Sequence, residues 1–318
     1  MRLPKQLLIA SNHKPFYSLS DFYKETYGEK VYKIAIDGGF TCPNRDGSLH
    51  SSGCIFCSSS GSGDFASRKS LNMEEKVKQG KQLLVTKTKA EKFIVYFQSY
   101  TNTYDTPDNL STIYNSALID DSIVGLSIAT RPDCIDKDVI NVLKELKLKT
   151  DVYIELGLQS IHESSATFIR RGYDLPIYDQ AVQMLNDAGI PIITHVIIGL
   201  PHETRDDIIN TVNYITSQNI QGIKLQLLHI LTDTDLYKYY LEHPFPILSE
   251  ADYIQLVVDL IEIIPSDIVI HRLTGDGPKD LLHEPKWSLN KRHVLNGISK
   301  KFKELNAYQG RLKEVHND

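Results

Sequence analysis

Three of the four cysteines fall together, as Cys42, Cys54 and Cys57, in a C-x11-C-x2-C spacing. Two cysteines at C-x2-C can grip one metal centre, and a third from the same loop completes a set of three thiolates. Gly47 and Gly53 give that loop the freedom to bend around such a centre. The spacing therefore predicts a metal centre or a pair of reactive thiols.

Three kinds of site are compatible with this spacing. A structural zinc site would take His50 as its fourth ligand, although structural zinc usually comes from two paired knuckles and the sequence has no second pair. A redox or catalytic pair would use Cys54 and Cys57 alone, and it leaves Cys42 unexplained. An iron–sulfur cluster held by three thiolates keeps one iron open to chemistry, with Phe56 shielding the cluster. The spacing alone favours zinc and iron–sulfur about equally.

The composition of the 318-residue chain, with 41% hydrophobic and 24% charged residues, is that of a globular protein that needs no disulfides to fold. No apolar run approaches the ~18 residues of a membrane span, and residues 7–10 are too short for the core of a signal peptide. These features predict a cytoplasmic protein without a membrane partner. In that compartment thiols stay reduced, and cysteines serve as ligands or catalysts.

The net charge of −5 gives no reason to expect a nucleic-acid partner, but the charge is unevenly distributed. Residues 286–318 carry eight Lys or Arg and three Asp or Glu, a net charge of +5. A basic segment hints at a phosphate-bearing partner, whereas a solvated helix face is the simpler interpretation.

Short runs rich in Val, Ile, Leu and Tyr alternate with helical patterns, which predicts βαβ units around a parallel sheet. Six such units make a partial or full barrel, and a doubly wound open sheet is the alternative. The predicted strands are 31–37, 92–98, 122–130, 151–158, 190–199 and 222–230, with a shorter run at 267–271. The predicted helices are 72–88, 108–119, 136–148, 175–188, 203–217 and 249–264.

Polar residues concentrate directly after the predicted strands, at the edge where parallel α/β proteins place their active sites. Amides, hydroxyls and an arginine that recur at one edge suit a sizeable polar cofactor. These segments are 98–102 after the second strand, 130–133 after the third, 159–160 after the fourth and 201–203 after the fifth.

The cysteine loop and several other segments resemble the radical S-adenosylmethionine (SAM) superfamily. The usual signature of that superfamily is C-x3-C-x2-C, whereas the first gap here has eleven residues, which is similar to the YhcC/YtqA-like subfamily related to the elongator catalytic subunit. The matching segments are 42–47, 53–57, 96–104, 129–133, 155–160, 171–174, 195–201 and 271–276. The resemblance covers nearly the whole chain, about residues 15–310.

The resemblance implies a partial (β/α)6 TIM-like barrel of the radical SAM type over residues 31–272, preceded by an N-terminal segment (1–30) and followed by a short C-terminal extension (273–318). It implies that Cys42, Cys54 and Cys57 hold a [4Fe–4S] cluster whose open iron binds SAM. An electron from a donor such as flavodoxin or ferredoxin would then cleave SAM to methionine and a 5′-deoxyadenosyl radical, which takes a hydrogen atom from the substrate.

The resemblance also implies which side chains contact SAM. Gln98, Tyr100 and Asn102 stand where the superfamily often has a Gly-Gly-Glu turn, and this sequence has no such Glu. Arg171 is a candidate for the SAM carboxylate, because its planar guanidinium matches a carboxylate in two hydrogen bonds. Cys134 is expected to be a plain buried thiol. The remaining candidates are Thr130, Glu155, Gln159, Ser160, His195, Gly199, Leu200 and Pro201.

Residues near the end of the barrel and beyond it are predicted to meet the substrate, and they are Arg272, Asp276, Trp287 and Lys291. Trp287 is the only tryptophan, and an aromatic ring beside cations can stack a base and contact phosphate, or can simply seal a core. With the basic segment, the resemblance points to tRNA as the substrate, with the radical acting on the side chain of a wobble uridine. The alternatives are a radical enzyme for a small metabolite and a zinc-stapled binding protein.

Overall fold

The computed structural model describes residues 14–61, 72–86 and 88–314 of the chain. The strands are β1 (Val31–Ile36), β2 (Lys92–Phe97), β3 (Ile123–Thr130), β4 (Asp151–Gln159), β5 (Ile192–Ile198), β6 (Gly222–Leu227), β7 (Ile230–Leu231), β8 (Val269–Arg272) and β9 (Leu282–Glu284). The helices are α1 (Leu19–Tyr27), α2 (Met73–Val85), α3 (Pro107–Ser116), α4 (Lys137–Lys147), α5 (Glu163–Phe168), α6 (Leu175–Asp187), α7 (Arg205–Ser217), α8 (Asp235–Glu242), α9 (Glu250–Ile263), α10 (Lys291–Leu305) and α11 (Arg311–Glu314).

The principal sheet has seven strands in chain order, β1-β2-β3-β4-β5-β6-β8, and β7 pairs with β9 in a separate antiparallel ribbon. Pairing is parallel between β1 and β2, β2 and β3, β3 and β4, and β6 and β8. A helix follows each of the first six strands of the sheet, as successive right-handed βαβ units require. The predicted fold class, a partial (β/α)6 TIM-like barrel, is confirmed.

Contacts along the chain divide it into two compact units. The first unit comprises Met1–Phe22, Gln159–Ile169 and Thr194–Asp318, and the second comprises Tyr23–Leu158 and Arg170–Ile193. The second unit contains the segment Cys42–Cys57, here called the cysteine loop, and the first contains the C-terminal helices. The predicted domain boundaries after residues 30 and 272 follow the family barrel rather than these contacts, and they stay a prediction.

Helices begin where a side chain can satisfy the free N–H groups of the first turn. The Asn72 side chain accepts from the Glu75 N–H at 2.9 Å, and the Glu75 carboxylate accepts from the Asn72 N–H at 3.1 Å. The two hydrogen bonds form a complete capping box. Asp136 caps α4 in the same way, accepting from the Val139 N–H at 2.8 Å. These caps fix the helix starts close to the predicted positions.

The strands of the second unit direct apolar side chains to their helix-covered face. Ile34 and Ile36 of β1 are 2% and 0% exposed. A Cβ at Gly80 of α2 would lie 2.2 Å from a methyl group of Ile34, so glycine lets this helix approach β1 closely. The opposite face of the same strands carries polar side chains, among them Lys33.

The predicted strand 222–230 is wrong in its last three residues. β6 ends at Leu227, and the N–H of Leu228 then donates to the carbonyl of Ile198 at 2.9 Å. Ile230–Leu231 turns away to pair with Leu282–Glu284. The apolar pattern runs on without a break signal, so periodicity could not locate this bend. Among the described residues, no helix is long and apolar enough to cross a membrane.

Candidate cluster and cofactor site

The cysteine loop is folded by its own backbone hydrogen bonds. The carbonyl of Cys42 accepts from the N–H groups of Arg45 at 2.7 Å and Asp46 at 3.1 Å. The N–H of Gly53 donates to the carbonyl of Asn44 at 2.6 Å, which places Cys54 against the start of the loop. Gly53 has a φ of +77°, and a Cβ there would lie 2.8 Å from the Arg45 guanidinium, so a glycine is required.

The thiols of Cys42, Cys54 and Cys57 are free and half-buried. Burial raises the pKa of Cys57 to about 12, and the neighbouring Cys54 adds to the rise, while Arg45 lowers it. Burial also raises the pKa of Cys54, against the opposing effects of Arg131 and of the hydrogen bond from Asn44. An activated redox thiol needs the opposite shift, so the pair Cys54 and Cys57 does not fit that alternative.

The three thiols act on one another electrostatically, since Cys42 and Cys54 both raise the pKa of Cys57. Among the described residues, no three His, Cys, Asp or Glu side chains are grouped as a single metal ion needs. His50, the fourth ligand of the zinc alternative, is exposed, and its Nδ1 accepts from the Ser52 N–H at 3.1 Å. In an iron–sulfur cluster each cysteine binds a different iron, so a cluster does not require the three thiols to converge on one point.

The turn after β2 is hydrogen-bonded to residues on either side of the cysteine loop. The N–H of Thr101 donates to the carbonyl of Thr41 at 3.1 Å, and the N–H of Tyr100 donates to the carbonyl of Gly61 at 3.1 Å. Within this turn the Ser99 hydroxyl and the Asn102 Oδ1 are buried and have no hydrogen-bond partner. Buried polar atoms are rarely left unpaired, so these two are candidates to bind a polar ligand.

Two predicted SAM contacts in this region are already engaged with protein groups. The Tyr100 hydroxyl donates to the carbonyl of Ser59 at 2.7 Å, and its ring lies 5.6 Å from the Arg45 guanidinium. The Thr130 hydroxyl lies 2.5 Å from that of Thr103. Both residues therefore shape the walls of the region, and Ser99, which the sequence reasoning did not single out, is the residue with an unused hydroxyl.

Glu155 lies on β4 and is fully buried. Its carboxylate accepts from Lys33 Nζ at 2.6 Å and from the Ser127 hydroxyl at 2.5 Å. Lys33 also lies 4.8 Å from the centre of the Tyr96 ring. The structure therefore pairs this carboxylate with a lysine on β1.

Arg171 is 2% exposed and donates from Nε to the carbonyl of Tyr173 at 2.9 Å. Its guanidinium lies 4.6 Å from the Tyr173 ring, and the Arg131 guanidinium lies 5.2 Å from that ring. Arg131 forms two hydrogen bonds to Asp133, at 2.9 and 2.7 Å. Arg131 also lowers the pKa of the buried Cys54 thiol, so this stack brings positive charge to the cysteine loop.

Gln98 and Cys134 complete the predicted residues of the second unit. Gln98 is half-buried directly after β2. Cys134 was expected to be a plain buried thiol, but the structure shows it half-buried, and burial raises its pKa to about 12.

In the first unit, Gln159 and Ser160 end β4. Gln159 has a φ of +73°, and its Oε1 is buried without a partner. The Ser160 hydroxyl donates to the Glu203 carboxylate at 2.5 Å, and burial raises the pKa of that carboxyl. Gln159 thus keeps an open polar atom, whereas Ser160 is bound to a neighbour.

The predicted SAM contacts Gly199, Leu200 and Pro201 follow β5. Leu200 and Pro201 are buried. Gly199 has a φ of +92°, and a Cβ there would lie 3.3 Å from Leu248, so a side chain would be strained and tightly packed. His195 is 9% exposed, and its Nδ1 lies 3.4 Å from the Gln226 amide nitrogen.

The four predicted substrate residues all lie in the first unit, and three of them interact by charge. Lys291 Nζ is 2.6 Å from a carboxylate oxygen of Asp276, and an Arg272 nitrogen is 3.9 Å from the same oxygen. Trp287 is half-buried, donates from Nε1 to the carbonyl of Leu248 at 3.0 Å and packs 5.4 Å from the Tyr253 ring. The tryptophan therefore has a packing role, and any base would have to use its exposed part.

The loop after β8 wraps the ring of His229, which sequence reasoning missed. A Cβ at Gly275 would lie 2.9 Å from His229 Cε1, and one at Gly277 would lie 3.0 Å from Nδ1. The Nε2 atom is buried without a partner. Burial lowers the pKa of His229 to about 4, with Arg272 acting in the same direction and Asp276 opposing both.

We expect His229→Gln to flatten the acid dependence of stability. The unfolded histidine has a pKa of 6.5 and the folded one about 4, so the unfolded chain binds the proton first and native stability falls as pH drops through this window. Urea unfolding at pH 7 and pH 4.5 should show a loss smaller by roughly 2 kcal/mol in the variant. His50→Gln, which alters an exposed histidine, serves as the control. Equal losses in wild type and both variants would contradict this account.

Two family models match the chain. The model of the radical SAM superfamily matches residues 42–215, and that of the Radical_SAM C-terminal domain matches residues 220–304. YtqA of Bacillus subtilis (strain 168) is 42% identical over 95% of this chain and 94% of its own length. YhcC of Escherichia coli (strain K12) is 32% identical over 83% of this chain and 85% of its own length.

The solved structure of the archaeal Methanocaldococcus infernus Elp3 with an N-terminus deletion has a TM-score of 0.68 to this chain at 16% sequence identity. It covers 88% of this chain and 64% of that chain, and it carries the same barrel fold. The resemblance seen in the sequence is thereby confirmed. The chain belongs to the radical SAM superfamily, whose cofactors are a [4Fe–4S] cluster and S-adenosylmethionine.

Proposed function

We propose that this radical SAM enzyme holds its cluster through Cys42, Cys54 and Cys57 and acts on a wobble uridine of tRNA. The observation that supports the site is the connection between the cysteine loop and the turn after β2. Backbone hydrogen bonds join Thr101 to Thr41 and Tyr100 to Gly61, on either side of that loop, and the same turn carries the unpaired polar atoms of Ser99 and Asn102.

When bound, the cluster supplies the electron that cleaves SAM and generates the radical that takes hydrogen from the substrate. The three thiols would deliver the protein ligands, and a thiol must lose its proton to bind the metal. Ser99 and Asn102 offer a hydroxyl and an amide oxygen to the polar end of SAM. Arg171, held by Tyr173, supplies positive charge that matches a carboxylate.

The other predicted contacts divide into open and engaged groups. Gln159, with an unpaired Oε1, is a candidate for a ribose or carboxylate contact. Gly199, Leu200 and Pro201 offer backbone and apolar surface to the adenine, and His195 lines the same face. Gln98 remains a candidate, whereas Tyr100, Thr130, Glu155 and Ser160 shape the site through the protein contacts described above.

The basic C-terminal region supports RNA as the substrate class. Arg292, Lys300 and Lys303 project from α10 as exposed cations. Asp276, Lys291 and Arg272 form a charged cluster near the start of the same helix. Phosphate binding by such cations would position an RNA, and Trp287 would offer its accessible edge to a base. A small electron donor such as a flavodoxin or ferredoxin completes the proposed partners, and the proposed location is the cytoplasm.

A charge reversal on α10 tests the RNA assignment. We expect Arg292→Glu with Lys303→Glu to weaken binding of bulk tRNA and to reduce its dependence on salt. With about four phosphate contacts, wild-type affinity should fall about a hundredfold between 50 and 200 mM salt. The matched control reverses two exposed lysines of α4, as Lys137→Glu with Lys144→Glu.

The reaction product is tested by mass spectrometry, which compares the modified tRNA nucleosides of cells with and without the gene. The proposal predicts that one wobble-uridine derivative disappears with the gene and returns with the wild-type protein. The proposal would be contradicted if tRNA affinity changed neither with salt nor with the α10 substitutions and the nucleosides were the same with and without the gene. Small metabolites would then be the substrates to test.

A further inference from the structure

We propose that Asn44 is a positioning residue that donates a hydrogen bond to a sulfur ligand of the cluster. This hydrogen bond raises the reduction potential of the cluster. This inference rests on the proposed function, because it takes Cys54 as a cluster ligand. It concerns a side chain that is neither a thiol nor a predicted SAM contact.

Asn44 is 1% exposed. Its Nδ2 donates to the carbonyl of Arg170 at 2.7 Å, and its second hydrogen is shared between Cys54 Sγ and the carbonyl of Arg171, each at 3.4 Å. The orientation of the amide is determined by these contacts. Turning it over would set its oxygen against the Arg170 carbonyl oxygen at hydrogen-bond distance, which is repulsive.

The surrounding backbone leaves room for this amide and no more. Gly172 has a φ of +80°, and a Cβ there would lie 2.9 Å from Asn44 Oδ1. The carbonyl of Asn44 accepts from the Gly53 N–H at 2.6 Å, one residue before Cys54. Asn44 therefore holds the sulfur of Cys54 through its backbone and its side chain together.

A hydrogen bond to a cluster sulfur favours the more reduced state, because added negative charge is shared with the sulfurs and an N–H donor stabilises it. Fixed donors to a ligating sulfur tune the reduction potential without entering the reaction. Arg131 adds charge near the same sulfur but makes its hydrogen bonds to Asp133. Asn44 is thus the amide donor that the structure assigns to Cys54.

The test is the midpoint potential of the reconstituted full-length protein. We expect Asn44→Ala to make one-electron reduction of the cluster about tenfold less favourable, which is a shift of about 59 mV to more negative potential. The matched control is Ser48→Ala, which removes the exposed contact of the cysteine loop with Tyr104 at 2.9 Å and touches no sulfur. Its potential should equal that of wild type.

Iron and sulfide analysis separates the two proposals. If the wild-type protein assembles no [4Fe–4S] cluster, the proposed function is wrong, and the role of Asn44 is wrong as well because it depends on that cluster. If wild type and Asn44→Ala both carry full clusters with equal potentials, only the role of Asn44 is overturned. The same potential shift in Ser48→Ala would also overturn it, since a general loosening of the loop would then explain the effect.

A second measurement needs no variant and covers the case in which Asn44→Ala binds no cluster. Wild-type protein carrying asparagine labelled with ¹⁵N in the side chain is reduced and studied by electron–nuclear double resonance. A weak ¹⁵N coupling to the reduced cluster is expected, because Nδ2 is one hydrogen bond away from a ligating sulfur. The absence of any coupling would overturn the inference.

Discussion

Replacing Cys42 with alanine is expected to abolish formation of 5′-deoxyadenosine and to leave the protein without a complete [4Fe–4S] cluster. The reason is the number of ligands, since a four-iron cluster bound by two thiolates has two irons without protein ligands. The other two thiols, Cys54 and Cys57, remain in place and cannot compensate, because the proposed site assigns each of them to its own iron.

Iron and sulfide content, the visible absorption of the cluster and SAM cleavage report this result together. Cys134→Ala is the matched control, because it removes the only other cysteine, which is half-buried like the three in the loop. The control should keep a full cluster and wild-type cleavage. An active Cys42→Ala protein with four irons would show that Cys42 is not a ligand and would revive the interpretation of Cys54 and Cys57 as the essential pair.

Lys33→Met is expected to destabilise the protein by roughly 3–5 kcal/mol, although it changes neither a thiol nor a cofactor contact. The substitution removes the ammonium group that donates to the buried Glu155 carboxylate at 2.6 Å and leaves the hydrogen bond from the Ser127 hydroxyl at 2.5 Å. Removing one partner of a buried ion pair lowers the free energy of unfolding far more than removing an exposed ion pair does.

Urea unfolding at neutral pH measures this effect. The double variant Lys33→Met with Glu155→Leu removes both charges and should recover most of the lost stability, because a well-packed apolar pair replaces the ion pair. Equal stability of wild type and Lys33→Met would mean that Glu155 is neutral or has another charged partner. That result would return Glu155 to the residues expected to contact SAM directly.

The fold was largely predictable because its strands and helices carry strong local signals. β2 is apolar from Phe93 to Phe97, as a strand covered on both sides must be, and α2 starts at a capping box on Asn72. The break at Leu227 was not predictable, since it depends on a hydrogen bond from Leu228 to a residue thirty positions earlier. Tertiary pairing overrides a continuous apolar pattern there.

The three cysteine ligands stay a prediction, and the sequence could not show which of the polar side chains are already engaged with protein atoms. Cysteine spacing is visible along the chain, but the use of a hydroxyl is decided by its neighbours in space. Tyr100 and Thr130 look like free polar groups in the sequence, yet both bind protein atoms. Ser99 and Asn44 gain their importance from burial and from contacts that no local pattern encodes.

Cleavage of SAM by the reconstituted protein tests the central claim most directly. The protein is loaded with iron and sulfide under anaerobic conditions, reduced with dithionite and mixed with SAM, and 5′-deoxyadenosine and methionine are quantified. The account predicts that both products form and that neither forms with Cys42→Ala, Cys54→Ala or Cys57→Ala. A wild-type protein that carries a full cluster and yields neither product would contradict it.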